Sequence, residues 1–238
     1  MKLAIISGGS RGLGAALVDL YRGEGYTIVE LSRSAKLAES IRLDLSNPKD
    51  VTEKIPSIFA DLAGQPLESV LFFNNAGVLP PIGMISSKET ADILANINVN
   101  YTSAILLMRE FVLAFQAAAC PKMIVNISSG AALRGMYGWS LYCGAKAGIE
   151  NFVRSVAVEQ ADQSHPIKAV NIGPGIIDTD MQATIRSATA EDFPSVERFK
   201  EFKSGGNLKS PETVAQGIAN IINSHPDTGS RHNVSDYL

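Results

Sequence analysis

Cysteine and histidine are scarce in this sequence, which narrows its chemistry. The two cysteines, Cys120 and Cys143, form neither a Cys-x-x-Cys pair nor a disulfide framework, and three scattered histidines give no cluster with metal-ligand spacing. A reducing compartment is therefore expected, and no metal. Charge of one sign is lacking too: 21 Lys and Arg stand against 24 Asp and Glu, a net charge of −3 with no block of like charge. A nucleic-acid surface needs clustered cations, so no such partner is expected and any phosphate is to be read locally. No apolar run reaches the length of a membrane span, and the opening Met1-Lys2-Leu3-Ala4-Ile5-Ile6-Ser7 meets a glycine turn before it is long enough for a signal-peptide core. The chain is expected to work in the cytoplasm, away from membranes.

Apolar residues, by contrast, are plentiful. They make up 45% of the 238 residues and are spread along the whole length, which suits one large globular domain. "KLAIISGG" reads as a strand ending at glycine, and "RGLGAALVDLYRGEG" as a helix spaced on Leu13, Leu17, Leu20 and Tyr21. Strands follow at "YTIVELS", "IRLDL" and "SVLFFNNAG", with the helix "PKDVTEKIPSIFADLAG" opened by Pro48. A long helix is expected within 87 to 118, then a strand "KMIVNIS", a helix from about 141 to 161 and a strand "IKAVNIG". Strands apolar on both faces, alternating with helices, predict a doubly wound parallel sheet with helices on each side. The pattern weakens across 180 to 210, which reads as an insertion, before "SPETVAQGIANIIN" restores a helix with Ser210 as N-cap and Pro211 at its first position; the tail adds a final strand.

Between the first strand and helix, "SGGSRGLG" sets Gly8, Gly12 and Gly14 around Ser10, Arg11 and Leu13. Glycine lets the backbone turn sharply and approach a pyrophosphate, whose charge the free N–H groups of a helix N-terminus attract. The alternative is a tight structural turn. At the end of the second strand a carboxylate favours the ribose hydroxyl of NAD, and arginine the 2′-phosphate of NADP. Ser32 and Arg33 stand there, with Arg11 as a second cation, so NADP(H) is preferred over NAD(H), although Glu30 is close by. Tyr142 and Lys146, four apart in "GWSLYCGAKAG", share one face of a helix, where an ammonium is expected to lower the phenol's pKa toward working pH.

The glycine turn, "NNAG" at 74 to 77, the order Ser129, Tyr142, Lys146 and "GPGIIDT" at 173 to 179 together resemble the short-chain dehydrogenase/reductase family over essentially the whole chain. The resemblance implies a single NADP(H)-binding Rossmann-type domain over residues 1–238 with a small substrate lid near 180–210. It implies that Tyr142 protonates a carbonyl oxygen as hydride arrives, that Ser129, rather than Ser128, hydrogen-bonds that oxygen, and that Lys146 binds the nicotinamide ribose. Asn100 matches the family's asparagine that holds a water in the proton relay, with Asn98 as the competing position. The same carry-over places Asp44 and Leu45 beside the adenine and Asn75, Ala76 and Gly77 on the adenosine side, with Asn74 read equally well as a strand-end hydrogen bond. Pro174, Gly175, Ile177 and Thr179 would meet the nicotinamide. Cys143 has no neighbouring histidine in the chain and reads as a packed thiol.

Around the catalytic helix the likeness is to the sepiapterin reductase branch, which includes bacterial benzil reductases. That implies a small-molecule ketone or vicinal dicarbonyl on a flat ring, with Leu133, Met136, Tyr137, Trp139, Met181 and Phe193 as apolar partners. Asn233 aligns with the tail aspartate that anchors a pterin, and Asp236 takes its place if the register shifts, so diketones are expected ahead of sepiapterin. A 3-oxoacyl carrier-protein reductase or alcohol dehydrogenase, marked by a basic patch at the cleft mouth, and a non-catalytic NADP sensor are the alternatives. Family resemblance also implies a homodimer, with a tetramer as the alternative.

Overall fold

Short β-branched runs pair into one sheet in the computed structural model, which describes residues 1–238. The strands are β1 Lys2–Ser7, β2 Thr27–Ser32, β3 Ser40–Arg42, β4 Ser69–Asn74, β5 Lys122–Ile127, β6 Lys168–Gly173 and β7 Arg231–Asn233. All pairs are parallel, in the order β3-β2-β1-β4-β5-β6-β7. The helices are α1 Gly12–Gly23, α2 Pro48–Ala63, α3 Thr90–Ile97, α4 Ser103–Phe115, α5 Ser140–Glu159, α6 Asp180–Arg186, α7 Val196–Ser204 and α8 Pro211–Asn223.

Successive strand residues point to opposite faces, so each strand feeds two cores. Leu3 and Ile5 of β1 join Phe59, Phe111 and Val153 under α2, α4 and α5, whereas Ala4 and Ile6 join Leu17, Tyr21 and Ile218 under α1 and α8. Phe72 stacks on Phe111 at 5.5 Å between centroids, and both are fully buried. Burying a side chain of that size stabilises by about 1.5–3 kcal/mol, which makes the α4 side a firm wall. Strand order reverses between β1 and β4, and a crevice opens at their carboxyl ends, where such sheets bind ligands.

Three differences from the sequence expectation bear on the site. The long helix within 87 to 118 is two helices joined by a π-helical turn, Asn98–Thr102. The strand at "IRLDL" shortens to Ser40–Arg42, because Asp44 caps the backbone N–H of Ser46 at 3.0 Å and turns the chain away. The 180–210 segment is folded into α6 and α7 and tied back by a bridge between Ile177 and Lys209. α8 starts as read: the N–H of Thr213 donates to Ser210 Oγ at 3.1 Å, with Pro211 next in line. No helix is long and apolar enough to cross a membrane.

Candidate active site

The crevice encloses about 1140 Å³ and runs from the β2 end across the glycine turn to α6 and α7. That exceeds what a drug-sized ligand needs and suits a dinucleotide plus a second molecule. Gly8 and Gly12 hold φ of +70° and +54°, the left-handed region where a side chain is strained. Gly14 is required for a different reason: a Cβ there would strike the Gly8 carbonyl and come within 2.6 Å of Asn75 Nδ2. Asn75 donates from Nδ2 to the carbonyls of Ser7 at 3.0 Å and Gly8 at 3.1 Å, so "NNAG" and the glycine turn are stapled together. Ser7 Oγ receives the N–H groups of Asn75 and Ala76, both at 3.1 Å. No side chain caps the N-terminus of α1 and no acidic residue lies in its first turn, so its N–H groups suit an anion.

Ser10, Leu13, Ser32 and Arg33 line the crevice, as do Asp44, Leu45 and Gly77. Arg11 lines it as well but pairs with Asp180 at 3.0 Å, away from its expected partnership with Arg33. Lys36, exposed in the same loop as Arg33 and lining the crevice, is the second cation that the sequence reading missed. Glu30 is buried beneath the turn, its Oε2 accepting from Ser32 Oγ at 3.0 Å and Ser40 Oγ at 2.5 Å, so the carboxylate faces inward. Asn74 belongs to a buried ladder across the sheet: it donates to Asn126 at 2.8 Å, and Asn126 donates to Asn171 at 2.7 Å.

Tyr142 and Lys146 stand one turn apart on α5, both buried, with the ammonium 5.8 Å from the phenol ring centroid. Burial pushes the Tyr142 phenol up to about 12, only partly offset by the hydroxyl of Ser129. The lowering expected from Lys146 is not found: burial sets the phenol's shift, and the ammonium is turned to the Ile127 carbonyl, to which it donates at 2.8 Å. Lys146 itself is brought down to about 8 by burial, against an opposing pull from Glu150. Ser129 caps a short turn by accepting from the N–H of Ala131 at 3.1 Å, and its own hydroxyl is directed at the Tyr142 phenol. Ser128 is turned the other way and bonds Glu150, which also accepts from Arg154 and Arg231, each at 2.9 Å.

Asn100 sits in the π turn; its Oδ1 accepts from the N–H of Val78 at 2.9 Å, and its Nδ2 donates to the Val78 carbonyl at 2.8 Å and Asn96 Oδ1 at 3.0 Å. Both amide hydrogens are thus committed, and the side chain braces the 77–79 loop rather than reaching into the crevice. Asn98 donates to the Ser46 carbonyl at 3.0 Å and plays no part there.

Pro174, Gly175, Ile177 and Thr179 line the crevice at the start of α6, and beyond them the wall becomes apolar. Trp139 stacks on Phe193 at 4.7 Å with rings 9° apart, and meets the Tyr142 ring edge-on at 6.1 Å. Met136, Met181 and Phe199 complete this wall, whereas Phe193 is buried against Trp139 and does not itself line the crevice. Leu133 and Tyr137 take no part in the wall: they are 62% and 51% exposed outside it, Leu133 because it closes the short 130–132 turn on the solvent side. Asn233 is also absent. β7 pairs with β6, its Asn233 accepts from Arg231 at 2.6 Å, and the tail turns back on α8 through Asn220 and the Tyr237 carbonyl, so neither Asn233 nor Asp236 faces the crevice. Cys143 is buried, which raises its thiol pKa and keeps it inert. Gln182, buried on α6 and lining the crevice, is a further residue that no sequence signal marked, since α6 lies where the helical period is weak.

A family model described as short chain dehydrogenase matches residues 2–190. The benzil reductase ((S)-benzoin forming) of Bacillus subtilis (strain 168) is 31% identical over 243 residues, covering 100% of both chains. That of Bacillus cereus is 33% identical over 234 residues, covering 93% of this chain and 94% of its own. Among solved structures, a variant of ElxO with NADPH bound superposes with a TM-score of 0.75 at 25% identity, covering 98% of this chain and 97% of its own.

Proposed function

The chain belongs to the short-chain dehydrogenase family, and from that premise we propose that it is an NADPH-dependent carbonyl reductase acting on ketones and vicinal dicarbonyls. The observation that carries the proposal is the convergence of Ser129, Tyr142 and Lys146 at one end of the crevice, against an aromatic wall. The benzil reductases of two Bacillus species, similar over nearly the whole chain, support a flat diketone.

The residues present fit the cofactor. The left-handed glycines and the uncapped α1 suit a pyrophosphate, and Arg33 and Lys36 beside an inward-turned Glu30 suit a 2′-phosphate. When bound, NADPH supplies the hydride. Ser129, whose hydroxyl is directed at the Tyr142 phenol, turns it to the carbonyl oxygen when substrate is bound and so orients that oxygen. Tyr142, kept protonated by burial, gives its proton to that oxygen as the carbonyl carbon is reduced. Lys146 stabilises the phenolate left behind, and Asn100 holds the loop that carries Gly77, next to both Asn100 Oδ1 and Lys146 Nζ. α6 and α7 act as a lid over the apolar end. A second reading, a 3-oxoacyl carrier-protein reductase that reduces the ketone of a thioester-linked chain, draws on Arg134 and Arg198, two exposed cations on the crevice wall.

NADPH oxidation with benzil, an isatin-like diketone, sepiapterin and an acetoacetyl thioester tests both readings. Benzil and the isatin-like diketone are expected to turn over fastest, and Tyr142→Phe to lose about 10²–10⁴-fold of that rate while still binding NADPH. Replacing Arg33 and Lys36 by serine should raise the KM for NADPH and leave that for NADH nearly as it was. A preference for the thioester moves the assignment to the second reading.

A further inference from the structure

We propose that Gln182 recognises the substrate's second oxygen, the carbonyl or hydroxyl on the carbon next to the one being reduced. The inference rests on the reductase reading above. Gln182 is 3% exposed and lines the crevice, yet neither atom of its amide has a hydrogen-bond partner in the fold. Leaving a buried amide unpaired costs about 1–3 kcal/mol, and native chains rarely tolerate it. This chain otherwise avoids it: Asn74, Asn96, Asn100, Asn126, Asn171 and Gln160 are all buried and all paired through their side chains. Trp139 Nε1 is the other unpaired buried donor on the crevice wall, at the ring that meets Tyr142 edge-on.

Position and chemistry agree. Gln182 follows Thr179, at the start of α6, and lies one turn before Ile185, which packs with Tyr142, Trp139 and Phe193 in a single cluster. Gln182 therefore stands on the crevice wall between the residues that open α6 and the aromatic cluster. A primary amide offers a donor at Nε2 and an acceptor at Oε1, so it pairs with a carbonyl through the first and a hydroxyl through the second. It is neutral, and its match is a neutral oxygen rather than a carboxylate. In the reaction, hydride adds to one carbonyl carbon, the Tyr142 proton goes to that carbon's oxygen, and the second oxygen stays unchanged on Gln182. Holding that oxygen fixes which face of the reacting carbonyl is presented, so Gln182 also sets the handedness of the product.

The test compares benzil with deoxybenzoin, which has the same two rings but one carbonyl, in the wild type, Gln182→Met and Gln182→Glu. For both variants kcat/KM should fall about tenfold more on benzil than on deoxybenzoin, the scale of one lost hydrogen bond in a buried site, and the enantiomeric excess of the benzoin formed should drop. Because an unpaired amide is removed, the ligand-free Gln182→Met protein should melt no lower than wild type. Equal losses on the two ketones, a loss confined to NADPH affinity, or a melting temperature lowered by several degrees would each overturn the assignment of Gln182 alone. If Gln182→Met fails to fold, the near-isosteric Gln182→Glu decides by the same ratio. A wild-type chain that reduces neither ketone overturns the reductase reading itself, and this assignment with it.

Discussion

The chemistry of Tyr142 and Lys146 is governed by burial more than by their mutual charge. The phenol, at about 12, remains an acid across the working range, while the ammonium, at about 8, loses its proton within it. Reduction is therefore expected to slow as pH rises through about 8, because a neutral Lys146 no longer stabilises the phenolate left after proton transfer. Stability moves the other way. Between about 8 and the ordinary lysine value the unfolded chain holds a proton that the native chain has lost, so the contribution of Lys146 to stability rises with pH in that window. Tyr142 has the opposite sign above the ordinary phenol value, where the native chain keeps a proton that the unfolded chain releases. Rate profiles of the wild type, with denaturant unfolding of the wild type and Lys146→Met, check both trends; a rate that is flat through pH 8 to 9 would contradict the first. The pair was singled out by its place among the glycine turn, "NNAG", Ser129 and "GPGIIDT", since Tyr and Lys four apart are common in helices. Its electrostatics were not legible, since desolvation depends on what the fold packs above α5.

At the scale of elements, strands and most helices were readable because their apolar periods differ, 2 against 3.6. The π turn escaped notice because no Gly or Pro interrupts it, although Asn, Val, Tyr and Thr are weak helix formers; what shapes it is tertiary, with Asn98 and Asn100 reaching the carbonyls of Ser46 and Val78. α6 and α7 escaped because they are short and are held by Trp139, Phe193 and Phe199 instead of by a regular stripe. The Ile177 to Lys209 bridge joins the ends of this segment to each other and the exposed pair Arg11 to Asp180 joins it to the glycine turn, neither to a strand, so we expect it to be the part of the crevice wall that moves. Limited proteolysis should cut within 180–204 in the free protein and be suppressed by NADPH with a slow diketone. Unaltered protection would show that these helices form a fixed wall.

At the scale of the whole molecule, residues distant in sequence hold α5 and the candidate site in place. The Asn74, Asn126 and Asn171 ladder runs across three strands and ends on the Glu150 carbonyl of α5. The Glu150 carboxylate is buried against Arg154 of its own helix and Arg231 of β7. Sequence could show the sheet and its alternation, but not that a tail arginine would serve a helix 81 positions earlier. Removing one member of a buried ion pair commonly costs about 3–5 kcal/mol, so Arg231→Met should unfold at markedly lower denaturant, whereas Arg33→Ser should not. Equal midpoints would mean that Arg154 alone satisfies the carboxylate.

β7 also imposes an order on folding. Arg231 follows Glu150 by 81 positions, so a nascent chain that forms α5 before Arg231 has emerged carries a buried carboxylate short of one of its two cationic partners. Ribosome-bound chains ending before Arg231 would then remain substrates for chaperones and proteases.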